Sequence, residues 1–468
     1  MSSIHYPPAP VTPTPLPKIP LFVLGVVIFS EPLTSTILFP FIYFMVTDFH
    51  ITENEDEIGF FCGLIASSFF FAQFCTSIFW GYMSDRYGRR PILLLGLCGS
   101  SIACIFFGFS KSLAWAIISR SMCGLLNGNV GVAKSMLGEI ADASNQSRAF
   151  SLFGFAWGIG MVRGYLANPA QTFPEIFGDW EFFIEYPYFL PCFVASMGGV
   201  VGFLVGYFFL KETKGMRGGV LVETNDKDVD GNYYNNTSNA IVQQAPEVGL
   251  SPLSITTIVA YSMLALHSIV FEEVYALYAV TPVISHGLGW TAIQLSTSLA
   301  CMGIVQLVMQ FVVYPMLERR FSAVWLFRCA QLMYCGVYIS FPLIRAFAVD
   351  ESDTETGGQL ASVRYLVLAT LVFKYLCSVF SYTSVMVMIT NSSPPHLLGT
   401  VNGIGQTSAS FMRAFGPALG GIFWAWSLGN KLSFPFNYFF VFFLMATIAV
   451  LGFIHSFSIP TDLGRKNV

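Results

Sequence analysis

Long apolar stretches alternate with short polar or charged ones along this chain. Twelve apolar runs are long enough to cross the roughly 30 Å hydrocarbon core of a bilayer as helices. They fall at 19–47, 58–82, 91–109, 112–138, 148–167 and 187–210, then at 253–284, 291–317, 321–347, 361–391, 397–427 and 434–459. Between the two sets of six lies a polar segment, 211–252, crowded with Asn, Asp, Gly and Gln from Asn225 to Gln244. The pattern predicts an all-α membrane protein, since helices satisfy their own backbone hydrogen bonds inside lipid. The expected parts are a disordered, proline-rich cytoplasmic tail over 1–18, a six-helix bundle over 19–210 and a cytoplasmic linker over 211–252. A second six-helix bundle over 253–459 and a cytoplasmic tail over 460–468 complete the chain. Small residues four apart, including Gly154/Gly158, Gly160/Gly164 and Gly416/Gly420 (with Pro417 between the last two), mark faces where helices can approach closely.

Composition agrees with the pattern. Of 468 residues, 54% are hydrophobic and 11% charged, with a mean hydropathy of +0.63; soluble domains carry about 25% charged residues. The ten cysteines all fall in apolar runs and form no C-x-x-C, so they read as small hydrophobes rather than a metal or disulfide framework. No metal cluster or nucleophile–base pairing is visible, which predicts neither an enzyme nor a cofactor. Gly128 to Ser135 faintly resembles a phosphate loop, but it lacks the glycine before Lys134 and follows no strand.

Charge assigns the sides. With alternating loops, one side holds Lys18, Arg86, Arg89, Arg90, Arg148, Lys211, Lys214, Arg217, Lys227, Arg319, Arg320, Arg465 and Lys466. The other holds mainly acids, such as Asp48, Glu53, Glu55, Glu175, Asp179, Glu185, Asp350 and Glu351, with Lys111 and Lys431 as the basic exceptions. The positive-inside rule then puts both termini in the cytoplasm. A plasma or vacuolar membrane is the expected location. The sequons at Asn145, Asn235 and Asn391 fall on the cytoplasmic side and are expected to stay unglycosylated.

The most specific stretch is Gly81-Tyr82-Met83-Ser84-Asp85-Arg86-Tyr87-Gly88-Arg89-Arg90-Pro91, between the second and third runs. So short a turn makes the flanking helices antiparallel neighbours. Gly88 permits a left-handed backbone, and Asp85 can cap a helix or pair with an arginine. Gly81, Asp85, Arg86, Gly88, Arg89 and Arg90 stand as G-x-x-x-D-R-x-G-R-R. This resembles the loop motif between helices two and three of the major facilitator superfamily of secondary transporters. The resemblance implies two pseudo-symmetric bundles, alternating access, and a loop that latches the halves in one state and releases them in another. Pro315 to Arg320, after helix eight, occupies the equivalent place in the second half.

Charges inside the membrane are costly and point to a cavity or a partner. Glu31 lies near mid-depth in helix one, Arg120 in helix four, His267, Glu272 and Glu273 in helix seven, Lys374 in helix ten and Arg413 in helix eleven. A carboxylate in a low-dielectric cavity can take a proton near neutral pH, while an arginine stays charged and tunes it. The expected arrangement is that Glu31, or Glu272 and Glu273, binds a proton in competition with substrate and that Arg120 sets the balance. A static ion pair or a snorkelling side chain is the plainer alternative. Arg120-x-x-x-Gly124-x-x-x-Gly128 resembles the second motif of the proton-antiporter branch, where the arginine is tied to proton coupling.

Val401 to Gln406, Arg413 to Gly421, Glu31-Pro32, Leu126-Asn127-Gly128-Asn129 and Leu166 to Ala170 together resemble the zinc-induced-facilitator-like group of plants and fungi. That resemblance adds Asn127 and Gln406 to the candidate cavity and implies export of small organic molecules. One departure stands out. Where the group carries Gly-Pro-x-x-Gly-Gly in helix five, this chain has Trp157 to Tyr165, with Arg163, no proline and about five residues fewer, more than one helical turn. The expected function is therefore proton-coupled antiport of a small organic substrate by a monomer that meets the lipid bilayer, protons and its substrate, and no nucleic acid. A nutrient facilitator or symporter is the second transport reading. A transport-inactive sensor or scaffold is the third, favoured by the altered helix five and the long linker.

Overall fold

The computed structural model describes residues 17–35, 38, 41–52, 55–141, 149–150, 174–214, 216–217, 220–221, 250–349, 361–393, 398–430 and 432–464. Helices dominate: α1 (Lys18–Ser35), α2 (Ile42–Asp48), α3 (Glu55–Tyr87), α4 (Arg89–Gly108), α5 (Leu113–Leu125), α6 (Asn129–Ile140) and α7 (Phe189–Phe209) belong to the first half. The second half holds α8 (Pro252–Val280), α9 (Ala292–Val308), α10 (Ala323–Val349), α11 (Ala361–Ser392), α12 (Leu398–Gly429) and α13 (Phe440–His455). Among the described residues, 8 helices are long and apolar enough to cross a membrane. Every predicted run carries helix among its described residues, the fifth only at Ala149 and Phe150. That run, with Gly158, Gly164 and Arg163, lies outside the described residues apart from Ala149 and Phe150, as do most of the linker and the N-terminal tail.

Three predicted runs are not single α-helices, and each has a local cause. The first divides into α1 and α2, with Pro40, which has no N–H to donate, between them in sequence. The eighth passes from α9 through a wider π turn, Met309–Val313, into Tyr314–Glu318. Pro315 cannot return a bond to the carbonyl four residues back, and the ladder widens around it. The fourth breaks at Leu126–Gly128 into α5 and α6. Side chains of α3 take up the carbonyls this break frees: Thr76 and Trp80 donate to Leu125 O at 3.1 and 2.8 Å, and Gln73 Nε2 donates to Asn127 O at 3.2 Å. A freed carbonyl at membrane depth needs such partners. Gly124 lies against the Phe69 carbonyl and Gly128 against the Trp80 ring, where a β-carbon would not fit.

The axis of the molecule is the contact between α3 and α12, which run together along most of their length. α8 covers α12 on its other side, α10 joins α11 and α13, and α7 joins α1 and α4. Close approach along the α3–α12 seam depends on small residues. A β-carbon on Gly63 would come within 2.9 Å of the Pro417 carbonyl, and one on Gly421 within 2.6 Å of the Gly59 carbonyl. At the other end a β-carbon on Gly81 would stand 3.9 Å from Gly403 Cα. Gly416 lies against Ile269 of α8, and a β-carbon on Gly420 would reach Val274 at 3.3 Å. Two core clusters of the first half each include residues of the second, Ile269 and Ala414 in one, Ala323 and Val387 in the other. Large apolar side chains such as Phe22, Ile118, Phe208 and Ile284 point outward, which suits a surface bathed in lipid. The linker begins with a two-residue strand pair, Met216–Arg217 with Val220–Leu221.

Candidate translocation site

Polar side chains that an apolar bundle would exclude gather along the seam and beside it. Gln73 of α3, already bound to Asn127 O, accepts from Ser410 Oγ of α12 at 2.7 Å, so one amide joins the two halves. One stretch nearer the Arg89 end, Lys134 of α6 donates to Tyr261 Oη of α8 at 3.1 Å and to Gln406 Oε1 of α12 at 3.0 Å. Lys134, Tyr261 and Gln406 are all buried. The Arg413 guanidinium lies 5.9 Å from the ring centres of both Tyr261 and Tyr382.

The second half holds an ion pair of its own. Lys374 of α11 is fully buried and donates to Glu272 Oε1 of α8 at 2.6 Å, with the Tyr375 and Phe271 rings 4.3 and 5.0 Å from its ammonium. Glu272 keeps 21% of its side chain exposed, so the pair has one wet end. Glu273, the next residue, turns the other way. It shares a helical stripe with Ile269, which lies against Gly416 of α12, and with Leu277, which lies against Gly59 of α3 in the other half. Its carboxyl is buried, its Oε2 has no hydrogen-bond partner among the described residues, and Cys62 of α3 is close enough to feel its charge. His267 is held from both sides by α10: Nδ1 stands 2.8 Å from Tyr338 Oη and Nε2 3.2 Å from Gln331 Oε1. That geometry assigns the ring proton to Nε2 and ties the imidazole inside the second half. Arg120 stays inside the first half, donating to the Thr34 carbonyl of α1 at 2.9 Å between the Phe69 and Phe107 rings.

At the far end of α3 the charged turn forms a closed network. Gly88 takes φ 103°, which favours glycine, and a side chain there would strike the Glu212 carboxylate. Arg89 pairs with Asp85, donates to Glu139 Oε1 at 2.9 Å and reaches Ser84 Oγ at 3.0 Å. Thr213 donates to Glu139 Oε2 at 2.7 Å. Glu212, just past α7, accepts from the backbone N–H of Arg89 and Arg90 at 2.8 and 3.0 Å and from those of Thr213 and Lys214. It thereby caps α4, whose own N-cap Gly88 has no side chain. Burial works against the Glu212 charge, but these four N–H donors outweigh it and hold the carboxyl below its ordinary range. Lys214 Nζ donates to Arg86 O and Arg90 to Tyr207 O.

This arrangement can be set beside known proteins. A family profile described as Major Facilitator Superfamily matches residues 24–271. A multidrug transporter of Aspergillus fumigatus, mfsB, is 30% identical over 477 aligned positions, covering 86% of this chain and 77% of the relative. This chain belongs to the major facilitator superfamily. The Arabidopsis thaliana protein Zinc Induced Facilitator-Like 1 is 29% identical, covering 93% of this chain and 90% of the relative. The structure of the human organic anion transporter MFSD10 overlays with a TM-score of 0.66 at 16% identity, over 95% of this chain and 100% of that one, which speaks to the fold. Members of the superfamily are carriers rather than enzymes, and so is this protein: a twelve-helix carrier of two six-helix bundles.

Within this carrier the predicted residues separate into groups. Glu272 and Lys374 come together between α8 and α11, Glu273 turns away from them toward Cys62 of α3, and Gln406 and Arg413 meet around Tyr261. His267 and Arg120 are each tied inside one half, and the Glu31 side chain is outside the described residues. Asn127 marks the α5–α6 break rather than facing a partner in α12. The superfamily motif implies a latch between the halves in one state and its release in another. Among the described residues, Asp85, Arg89 and Arg90 bond only to the first half and to the start of the linker. Three residues were missed at the level of sequence: Lys134, Gln73 and Glu212. An acid within Lys211-Glu212-Thr213-Lys214, otherwise on the basic side, was the available signal for Glu212.

Proposed function

We propose that this carrier exports small organic molecules in exchange for protons, with both termini and the Arg89 turn facing the cytoplasm. The observation that carries the proposal is Glu273, a carboxyl buried beside the α3–α12 seam with an oxygen that has no hydrogen-bond partner among the described residues. Burying a lone charge is expensive, and taking up a proton removes the expense. As the halves part, water reaches the carboxyl and the proton leaves. Glu272 and Lys374 form the second proton-handling group: protonation of Glu272 at the wet end of the pair frees Lys374 to change partner. Glu31 belongs to the same reading by its depth in helix one. The fungal relative is named as a multidrug transporter, which supports organic substrates.

Reconstituted protein tests this. Proteoliposomes with an imposed pH gradient are expected to accumulate rhodamine 6G or fluorescein above equilibrium, and a protonophore is expected to abolish the accumulation. Glu273→Gln should still exchange labelled for unlabelled probe while losing uphill accumulation. Full proton-driven accumulation in both Glu273→Gln and Glu272→Gln would refute the coupling assignment.

A further inference from the structure

We infer that the group around Lys134 is a binding site for the acidic head of an organic anion, so that the carrier prefers carboxylate-bearing substrates to cationic ones. The inference deepens the export reading above and rests on it for transport, though not for binding. Lys134 forms no ion pair with any described carboxylate; its two oxygen partners, Tyr261 Oη and Gln406 Oε1, are neutral. Because Oε1 of Gln406 faces the ammonium, its Nε2 points elsewhere, and that N–H₂ is buried with no partner among the described residues. A second cation, Arg413, lies over the same Tyr261 ring, and the Lys134 ammonium stands 4.8 Å from the centre of that ring. The site thus offers an ammonium, a guanidinium, a phenol and an orphan amide donor within reach of one tyrosine.

Neutral oxygens compensate a buried ammonium less well than a carboxylate does. A carboxylate oxygen entering beside Lys134 takes the bond now made to Tyr261 or Gln406 and reaches the free amide donor. The Tyr261 and Tyr382 rings, 6.4 Å apart and nearly perpendicular, form an aromatic wall for the rest of the molecule. The location suits a carried substrate, because Lys134 comes from the first half and Tyr261, Gln406 and Arg413 from the second. A substrate there replaces a tie between the halves with bonds to itself. A cationic substrate meets two like charges instead.

Fluorescein and rhodamine 6G share a ring system and differ in charge, and they make the test. The protein purified in detergent is expected to bind fluorescein, read by fluorescence polarisation, at least about tenfold more tightly than rhodamine 6G. Lys134→Gln should remove that preference and Lys134→Arg should keep it. Gln406→Glu puts a carboxylate beside Lys134, so it should abolish fluorescein binding while the melting temperature stays the same or rises. This variant separates loss of the site from loss of the fold. Tighter binding of rhodamine 6G, no fluorescein binding by the wild type, or fluorescein binding untouched by both Lys134→Gln and Gln406→Glu would overturn the inference. Lys134-dependent binding without uphill transport would leave the site standing and count against the proton-coupled export reading. Uphill transport of rhodamine 6G alone would do the reverse.

Discussion

The Arg89 turn and the interior seam are both rich in charge and hydrogen-bonding groups, yet they are built on different terms. In the turn Arg89 pairs with Asp85 and Glu139, Glu212 meets a row of N–H donors, and Arg90 and Lys214 donate to backbone carbonyls, all within the first half and the start of the linker. Along the seam the partners come from opposite halves, and among the described residues several groups are left incomplete: the Glu273 carboxyl, the Gln406 amide, and a lysine held by neutral oxygens. A completed network holds one arrangement. An incomplete one that spans two bodies is a place where a proton or a solute changes which arrangement is favoured. The contrast assigns rigidity to the turn and motion to the seam.

The largest expected effect strikes the buried ion pair. Lys374→Met leaves Glu272 facing an apolar wall and should lower stability by on the order of 3–5 kcal/mol while abolishing transport. The double variant Glu272→Gln/Lys374→Met should recover most of the melting temperature without recovering transport. Recovery of both would make the pair a purely structural feature and erase its difference from the turn.

A wedge in the seam comes next. Gly63→Val places bulk against the Pro417 carbonyl and should cost about 1–3 kcal/mol. It should also prevent the halves from closing, so transport falls further than stability does. Proportional losses in thermal-shift and uptake assays would argue that the seam is ordinary packing.

The third effect is smaller and depends on pH. Glu212→Gln weakens the cap of α4 and should cost about 1 kcal/mol at neutral pH. The Glu212 carboxyl is held below its ordinary value by four N–H donors. Its contribution is therefore complete above the unfolded-state value, roughly pH 4.3, and is lost as pH falls through the lower folded-state value. Melting curves of wild type and variant should differ at pH 7 and converge in that acid range. A constant gap would show that the charge is not what caps the helix. Smallest of all is the exposed pair of Lys111 with Glu185. Lys111→Ala should leave the melting temperature unchanged, because an exposed pair gains little over its hydration.

What could be read in advance follows from the range of the forces involved. Helix number and length rest on local hydrophobicity, so every run with described residues appears as helix. The Arg89 turn was legible because its glycines, aspartate and arginines stand together in one short segment, although Glu139, Tyr207 and Glu212, which complete its network, do not. Lys134 was not legible. Nothing along the chain says which residue of α12, some 270 positions on, faces it. Glu212 and Gln73 are of the same kind, side chains whose partners lie on other elements. The break between α5 and α6 was not legible, because 112–138 reads as one apolar run and the side chains that make the break tolerable belong to α3.

Motion at the seam can be tested with a tether. At the Arg89 end a β-carbon on Gly81 would stand 3.9 Å from Gly403 Cα, and one on Gly403 would meet open space. In a chain whose 10 native cysteines are replaced, Gly81→Cys/Gly403→Cys should form a disulfide on mild oxidation. Oxidation is expected to stop probe transport by the proteoliposomes, and reduction to restore it. A cross-linked protein that carries probe at the reduced rate would contradict alternating access about the α3–α12 seam.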